Sequence, residues 1–225
     1  MIKNNLQAVR QGIVDVCRRC GRSPKDVTLV GVTKYSDAAA VNDAVAAGLA
    51  DIAENRVQAA KEKFALINGS SVRKHLIGHL QSNKARDAVQ LFDLIHSVDS
   101  LSLLEEINKR AAAVGKVQEI LLQLDIAKEE QKFGLAVEEA NAFFTCVSRL
   151  KNVRLTGLMA MAPLTEDKAV IRAVFRRCRE LLDSWRTLSG DNIQMTHLSM
   201  GMSHDYDIAI EEGATMVRIG SLIFQ

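Results

Sequence analysis

Val27-Thr28-Leu29-Val30-Gly31-Val32-Thr33-Lys34 is an apolar, β-branched run that carries one amine at its C-terminal tip. Such a run reads as a buried strand of a parallel sheet, covered on both faces. Working outward, a helical pattern over 6–20 precedes it, and further strand patterns fall at 50–53, 75–80, 94–98, 119–125, 154–161, 195–199 and 216–219. With 28–34 that makes eight. Between them lie helical segments at 36–47, 55–67, 100–114, 137–150, 167–188 and 204–212, many of which open on Ser or Asp caps. Regular alternation of strand and helix predicts βα units around a parallel sheet, and eight of them close naturally as a TIM-type (β/α)8 barrel with an extra N-terminal helix. An open doubly wound sheet is the rival. It lacks support because Lys34-Tyr35-Ser36-Asp37 stands where a dinucleotide-binding glycine turn would follow strand one.

At 225 residues the chain fits one domain, 1–225, with no Pro/Gly/Ser-rich linker. The net charge of +2, with acids and bases mixed along the chain, provides no basic stripe for a phosphate backbone, so nucleic acid is not an expected partner. No membrane-length apolar stretch or signal-like start is evident, and a cytoplasmic protein is expected. Nothing marks a partner surface, and a monomer is the simplest expectation. Four cysteines, Cys17, Cys20, Cys146 and Cys178, read as free thiols; Cys17 and Cys20 have CxxC spacing but lie near a helix end without a second ligand pair. No cluster has metal-ligand spacing.

In such a barrel, function collects at the C-terminal ends of the strands. Lys34 sits at one. Held where a buried strand meets a loop, a lysine is partly desolvated, and its pKa can fall far enough to make it a nucleophile toward carbonyl carbon. The same position also serves simply to point a charge at water. Glu54-Asn55, Gly78-His79, Met161 and Ser199-Met200-Gly201-Met202-Ser203 would face the same pocket. Loops after strands seven and eight often bind phosphate, and Arg218-Ile219-Gly220-Ser221 offers a glycine for close approach and a hydroxyl donor.

The segments Val32-Thr33-Lys34, Glu54-Asn55, His75-Leu76-Ile77-Gly78-His79-Leu80-Gln81-Ser82-Asn83-Lys84, Lys132-Phe133-Gly134, Gly157-Leu158-Met159-Ala160-Met161, Leu198-Ser199-Met200-Gly201-Met202-Ser203 and Val217-Arg218-Ile219-Gly220 occur in order over essentially the whole chain. Together they resemble the pyridoxal phosphate homeostasis protein family. The resemblance implies a barrel like the N-terminal domain of alanine racemase, with pyridoxal 5'-phosphate (PLP) held as an internal aldimine on Lys34. It further implies a phosphate site around Ser199, Met200, Gly201, Gly220 and Ser221, and Arg218 facing the pyridine nitrogen. Asn55 and His79 would touch the ring or its substituents, Met161 would stand where racemases place a histidine, and Lys132 would approach the phenolic oxygen. Asn55, His79 and Lys132 also read as loop-capping or surface residues, Met161 also reads as ordinary core, and His197, alternating within an apolar strand, reads as a core residue.

A guanidinium is a permanent donor and would leave that ring nitrogen unprotonated, a poor arrangement for carbanion chemistry. Racemases of this fold group also carry a β-rich second domain with a catalytic tyrosine, for which these 225 residues leave no room. The expected function is PLP binding and homeostasis with little turnover, with apo PLP enzymes as recipients of the cofactor. A small PLP-dependent racemase and a cofactor-free Schiff-base aldolase are the alternatives. Two positions depart from the family pattern: Ala53 replaces a usual glycine, where its methyl would crowd the cofactor or shift Asn55, and Gln225 follows Phe224 where a glycine is common.

Overall fold

A computed structural model of the chain describes residues 1–69, 71–127, 133–188 and 190–225. Eight parallel strands, β1 (Thr28–Val32), β2 (Asp51–Glu54), β3 (Arg73–Leu76), β4 (Leu94–Val98), β5 (Gln118–Gln123), β6 (Val153–Met159), β7 (Ile193–Ser199) and β8 (Met216–Ile219), form a closed barrel in sequence order. Closure is made by β8 against β1, with Thr28 opposite Met216 and Val30 opposite Arg218. The (β/α)8 expectation therefore holds at the level of every strand.

Helices α1 (Ile2–Arg19), α2 (Ala38–Ala46), α3 (Val57–Phe64), α4 (Ala85–Leu91), α5 (Leu101–Ala113), α6 (Ala140–Val147), α7 (Lys168–Trp185), α8 (Tyr206–Glu211) and α9 (Ser221–Phe224) surround it. The side chains of Asp37, Ser100 and Asp167 accept backbone N–H groups at the starts of α2, α5 and α7, satisfying donors that the first helical turn leaves free. Leu6, Val9, Ile13, Val16 and Cys17 recur at helical spacing and form the buried stripe of α1, which packs over α2, α8 and α9. The extra N-terminal helix thus covers the β8–β1 closure from outside.

Alternation along the strands divides the core into two layers. Outward residues such as Ile52, Leu76, Ile95 and Leu122 join the helices in the large cluster, whereas Val30, Ala53, Leu94, Leu121, Met159 and Met216 fill the barrel interior. The methyl of Ala53 is spent there, packed in the interior. Several strand boundaries differ from the sequence reading, two of them for a visible reason. β1 ends at Val32, because the carbonyl of Thr33 turns to accept from Ser36 N–H and Lys63 Nζ. β3 begins at Arg73, two residues before the predicted start, since two charged residues disguise its opening.

Candidate functional site

The β1, β7 and β8 loops meet at a cavity of about 310 Å³, near the lower end of the size range of small-molecule sites. Lys34, Tyr35 and Ser36 line one side, Met202, Ser203 and His204 another, and Arg218, Gly220 and Ser221 a third. The described residues contain no group of three His, Cys, Asp or Glu arranged to hold a metal ion.

Lys34 stands at the open mouth. Its side chain is exposed, with Nζ 4.9 Å from the ring centroid of Tyr35, which is itself 83 % exposed. The desolvation expected of a strand-end lysine is therefore not seen, because the chain leaves the barrel at Val32 and Lys34 lies two residues beyond. The backbone beneath it is tightly held. Thr33 N–H donates to the Ala53 carbonyl at 2.9 Å, and its single hydroxyl hydrogen goes to Glu54 Oε1 at 2.8 Å, with the Ala53 carbonyl also 3.1 Å from Oγ1. Lys63 of α3 pairs with that fully buried carboxylate and donates to the Thr33 carbonyl at 2.6 Å, while Glu54 Oε2 has no partner among the described residues.

Arg218 is the opposite case. It is 3 % exposed, and Nη1 donates to Ser199 Oγ at 2.7 Å and Nη2 to the Ala160 carbonyl at 3.1 Å. Burial brings its pKa down to about 10, so it remains a cation at neutral pH. Ser199 Oγ lies 2.9 Å from His96 Nδ1, His96 Nε2 lies 2.9 Å from His75 Nδ1, and His75 Nε2 lies 3.0 Å from Asp51 Oδ1. Burial pushes His96 well below the ordinary imidazole range, with the neighbouring His75 and Arg218 adding to the effect. His75 is lowered by burial as well, partly offset by its bond to Asp51.

Several predicted residues take other places. Ser199 is fully buried and its hydroxyl is engaged by Arg218 and His96, away from the cavity lining. Met200 is likewise buried in the outer core. Gly201 adopts φ +89°, and a Cβ there would meet the Ala209 methyl at 2.4 Å, so this glycine serves close packing on α8. Gly220 lines the cavity, and a Cβ there would sit 3.0 Å from the Val32 carbonyl, so the missing side chain permits close approach to β1. Met161 packs against the interior cluster, as do Val32 and Ile77, which line the cavity where Met161 does not. Asn55 is half-buried after β2, outside the lining.

His79 stacks on Phe133 with ring centroids 3.7 Å apart and lies 3.3 Å from Asp99, whose carboxyl burial raises despite the nearby imidazole. Lys132 lies outside the described residues. His197 is half-buried and lowered by burial. Cys178 is pushed up to about 12 by burial, which makes it an inert thiol. No described helix is long and apolar enough to cross a membrane.

Sequence reasoning missed Asp51, His75 and His96 as a connected set. The available signal was a polar residue at an inward position of a strand that is otherwise apolar on both faces, as in Leu94-Ile95-His96-Ser97-Val98.

The family model for the alanine racemase N-terminal domain matches residues 2–225. The pyridoxal phosphate homeostasis protein of Aquifex aeolicus is 38 % identical over 219 residues, covering 97 % of this chain and 95 % of that one. The Pseudomonas aeruginosa protein of the same name is 39 % identical over 223 residues, covering 99 % and 94 %. Among solved structures, PipY of Synechococcus elongatus with PLP bound superimposes with a TM-score of 0.87 at 36 % identity, covering all of both chains. The chain belongs to the alanine racemase N-terminal domain family and, within it, to the pyridoxal phosphate homeostasis proteins.

Proposed function

We propose that the chain binds pyridoxal 5'-phosphate and serves PLP homeostasis, holding the cofactor covalently on Lys34 with little turnover of its own. The observation that carries this reading is the convergence of an accessible primary amine, a buried guanidinium and three serines on one cavity. The donor set suits the group: Lys34 for the aldehyde carbon, Arg218 for the ring nitrogen, and Ser203 and Ser221 with the Gly220 turn for the phosphate. Val32 and Ile77, which line the cavity, would supply an apolar surface for the ring, with Met161 packed on the same interior cluster. Ser199, Met200 and Gly201 act on the phosphate loop from behind, through the Gly201 carbonyl that accepts from Arg218 N–H at 2.9 Å. PLP is also the ligand in the similar PipY structure.

When bound, the cofactor supplies an aldehyde for the amine and an electron-withdrawing ring. A guanidinium has only hydrogens to offer and keeps the facing nitrogen unprotonated, so the ring's capacity to withdraw electrons stays modest. Apart from Lys34 and Arg218, the titratable side chains lining the cavity are Tyr35 and His204, and both stand exposed at the rim. Reversible capture with transfer to apo-enzymes matches that arrangement better than enclosed proton transfer. The chain acts as a monomer in this reading.

Mixing the purified chain with PLP should give a yellow complex, and Lys34→Ala should abolish the colour. Solvent deuterium should enter added amino acids at no more than the rate seen with free PLP. Robust exchange would instead establish a small racemase, and failure to colour would favour a cofactor-free aldolase.

A further inference from the structure

The geometry points to Asp51, His75, His96 and Ser199 as positioning residues: a one-way hydrogen-bond relay that ties the buried Arg218 guanidinium to a carboxylate at the opposite end of the barrel. The direction of the relay follows from counting hydrogens. Arginine can only donate, so Ser199 Oγ accepts from Nη1, and among the described residues the other hydrogen-bond contact of that hydroxyl is His96 Nδ1, which takes its single hydrogen. His96 Nδ1 is then the acceptor, its hydrogen sits on Nε2, and that hydrogen goes to His75 Nδ1. His75 in turn carries its hydrogen on Nε2 and donates to the Asp51 carboxylate. Every contact is satisfied with both rings neutral. Reversing the order would leave the bare Nε2 of His75 facing carboxylate oxygen at 3.0 Å, two acceptors without a hydrogen between them, unless another proton were added.

The relay answers a need of Arg218. Among the described residues its guanidinium bonds only to neutral oxygens, Ser199 Oγ and the Ala160 carbonyl, although it is 3 % exposed. A buried cation that makes no direct ion pair is costly, and the buried Asp205 carboxylate, which acts on Arg218 through space without a hydrogen bond to it, offsets only part of the effect of burial. Aligned hydrogen bonds polarise one another, and here each presents its negative end toward Arg218, with the full charge of Asp51 closing the line. The residues come from five strands: Asp51 opens β2, His75 and His96 lie on β3 and β4, Ser199 ends β7 and Arg218 lies on β8. Their consequence is an Arg218 whose cavity-facing N–H groups are fixed in direction and fully charged. That consequence for the cofactor rests on the PLP reading, whereas the relay itself does not.

The test begins on the full, unsubstituted chain without PLP. Nitrogen-15 spectra of labelled histidine at neutral pH should show His75 and His96 neutral with the hydrogen on Nε2 in each, and a hydrogen on Nδ1 of either ring overturns the relay. Exchange of the Arg218 guanidinium hydrogens with solvent should accelerate at least tenfold in both His96→Phe and Ser199→Ala; unchanged exchange overturns the positioning role. If His96→Phe does not fold, Ser199→Ala, which deletes one oxygen, carries that arm. With PLP, Ser199→Ala should bind at least tenfold more weakly while its borohydride-reduced adduct still maps to Lys34, and binding within twofold of the unsubstituted chain overturns the link to the cofactor. An unsubstituted chain that binds no PLP refutes the cofactor reading alone, since the tautomers and the guanidinium exchange still judge the relay.

Discussion

Lys34 and Arg218 line the same cavity and are held in opposite ways. Lys34 projects from a clamped backbone but leaves its own side chain free at an exposed rim, against an exposed tyrosine. Arg218 sits in the interior with hydrogen bonds from both terminal nitrogens and a line of four further side chains behind it. The difference fits the roles proposed for each. An amine that captures a carbonyl compound has to be reached and has to swing, whereas a donor that reads one ring atom is useful only if its direction is fixed. Rigidity at the rim is invested in the chain beneath the lysine: Thr33, Glu54 and Lys63 fix where the lysine starts without fixing where it ends.

The largest effect should come from breaking that clamp. Lys63→Met leaves the fully buried Glu54 carboxylate with the Thr33 hydroxyl as its remaining hydrogen-bond partner among the described residues, and removing one member of a buried pair costs about 3–5 kcal/mol. Denaturant unfolding should register that loss, and a drop below about 1 kcal/mol would show that the rim backbone does not depend on the pair.

The interior should respond to acid. Both relay histidines have folded-state pKa values below their unfolded ones, chiefly through burial, so below about pH 6.5 the unfolded chain binds more protons than the folded one. Stability is therefore full above that pH and lost as pH falls toward the folded values. The two together set a maximum slope of about 2.7 kcal/mol per pH unit. Unfolding measured between pH 7 and pH 5 should show the decline, and His96→Phe should flatten it. A curve with no slope in that window would mean that the rings are not held neutral.

The smallest effect belongs to the exposed rim. Tyr35→Ala should change stability by no more than about 0.5 kcal/mol, as surface substitutions generally do. A larger loss in thermal unfolding would show that Tyr35 is a packed residue and erase the contrast with the interior.

The barrel was legible because eight apolar runs punctuate the chain at regular spacing, and period and spacing are local properties. What escaped was local ambiguity: α4 is a short helix whose Lys84-Ala85-Arg86-Asp87 opening shows little apolar periodicity, and α9 is a single turn. Lys34 and Arg218 could be picked out as single residues at strand ends, and both reach one cavity. The relay could not be read in the same way. Asp51, His75 and His96 lie 24 and 21 residues apart on successive strands, and Ser199 is 103 residues beyond His96, so only barrel closure brings them into a line. Ser199 shows the cost of reading a motif without its surroundings. Its hydroxyl suits a phosphate cup on paper, yet in the fold it points inward, to Arg218 and His96.

The anchoring role of Lys34 is tested most directly by trapping. The chain saturated with PLP, reduced with borohydride, digested and mapped by mass spectrometry should carry the pyridoxyl group on the peptide containing Lys34 in near-stoichiometric yield, and the Lys34→Ala chain should carry none. A stoichiometric adduct on any other lysine, or one that persists in Lys34→Ala, would contradict it.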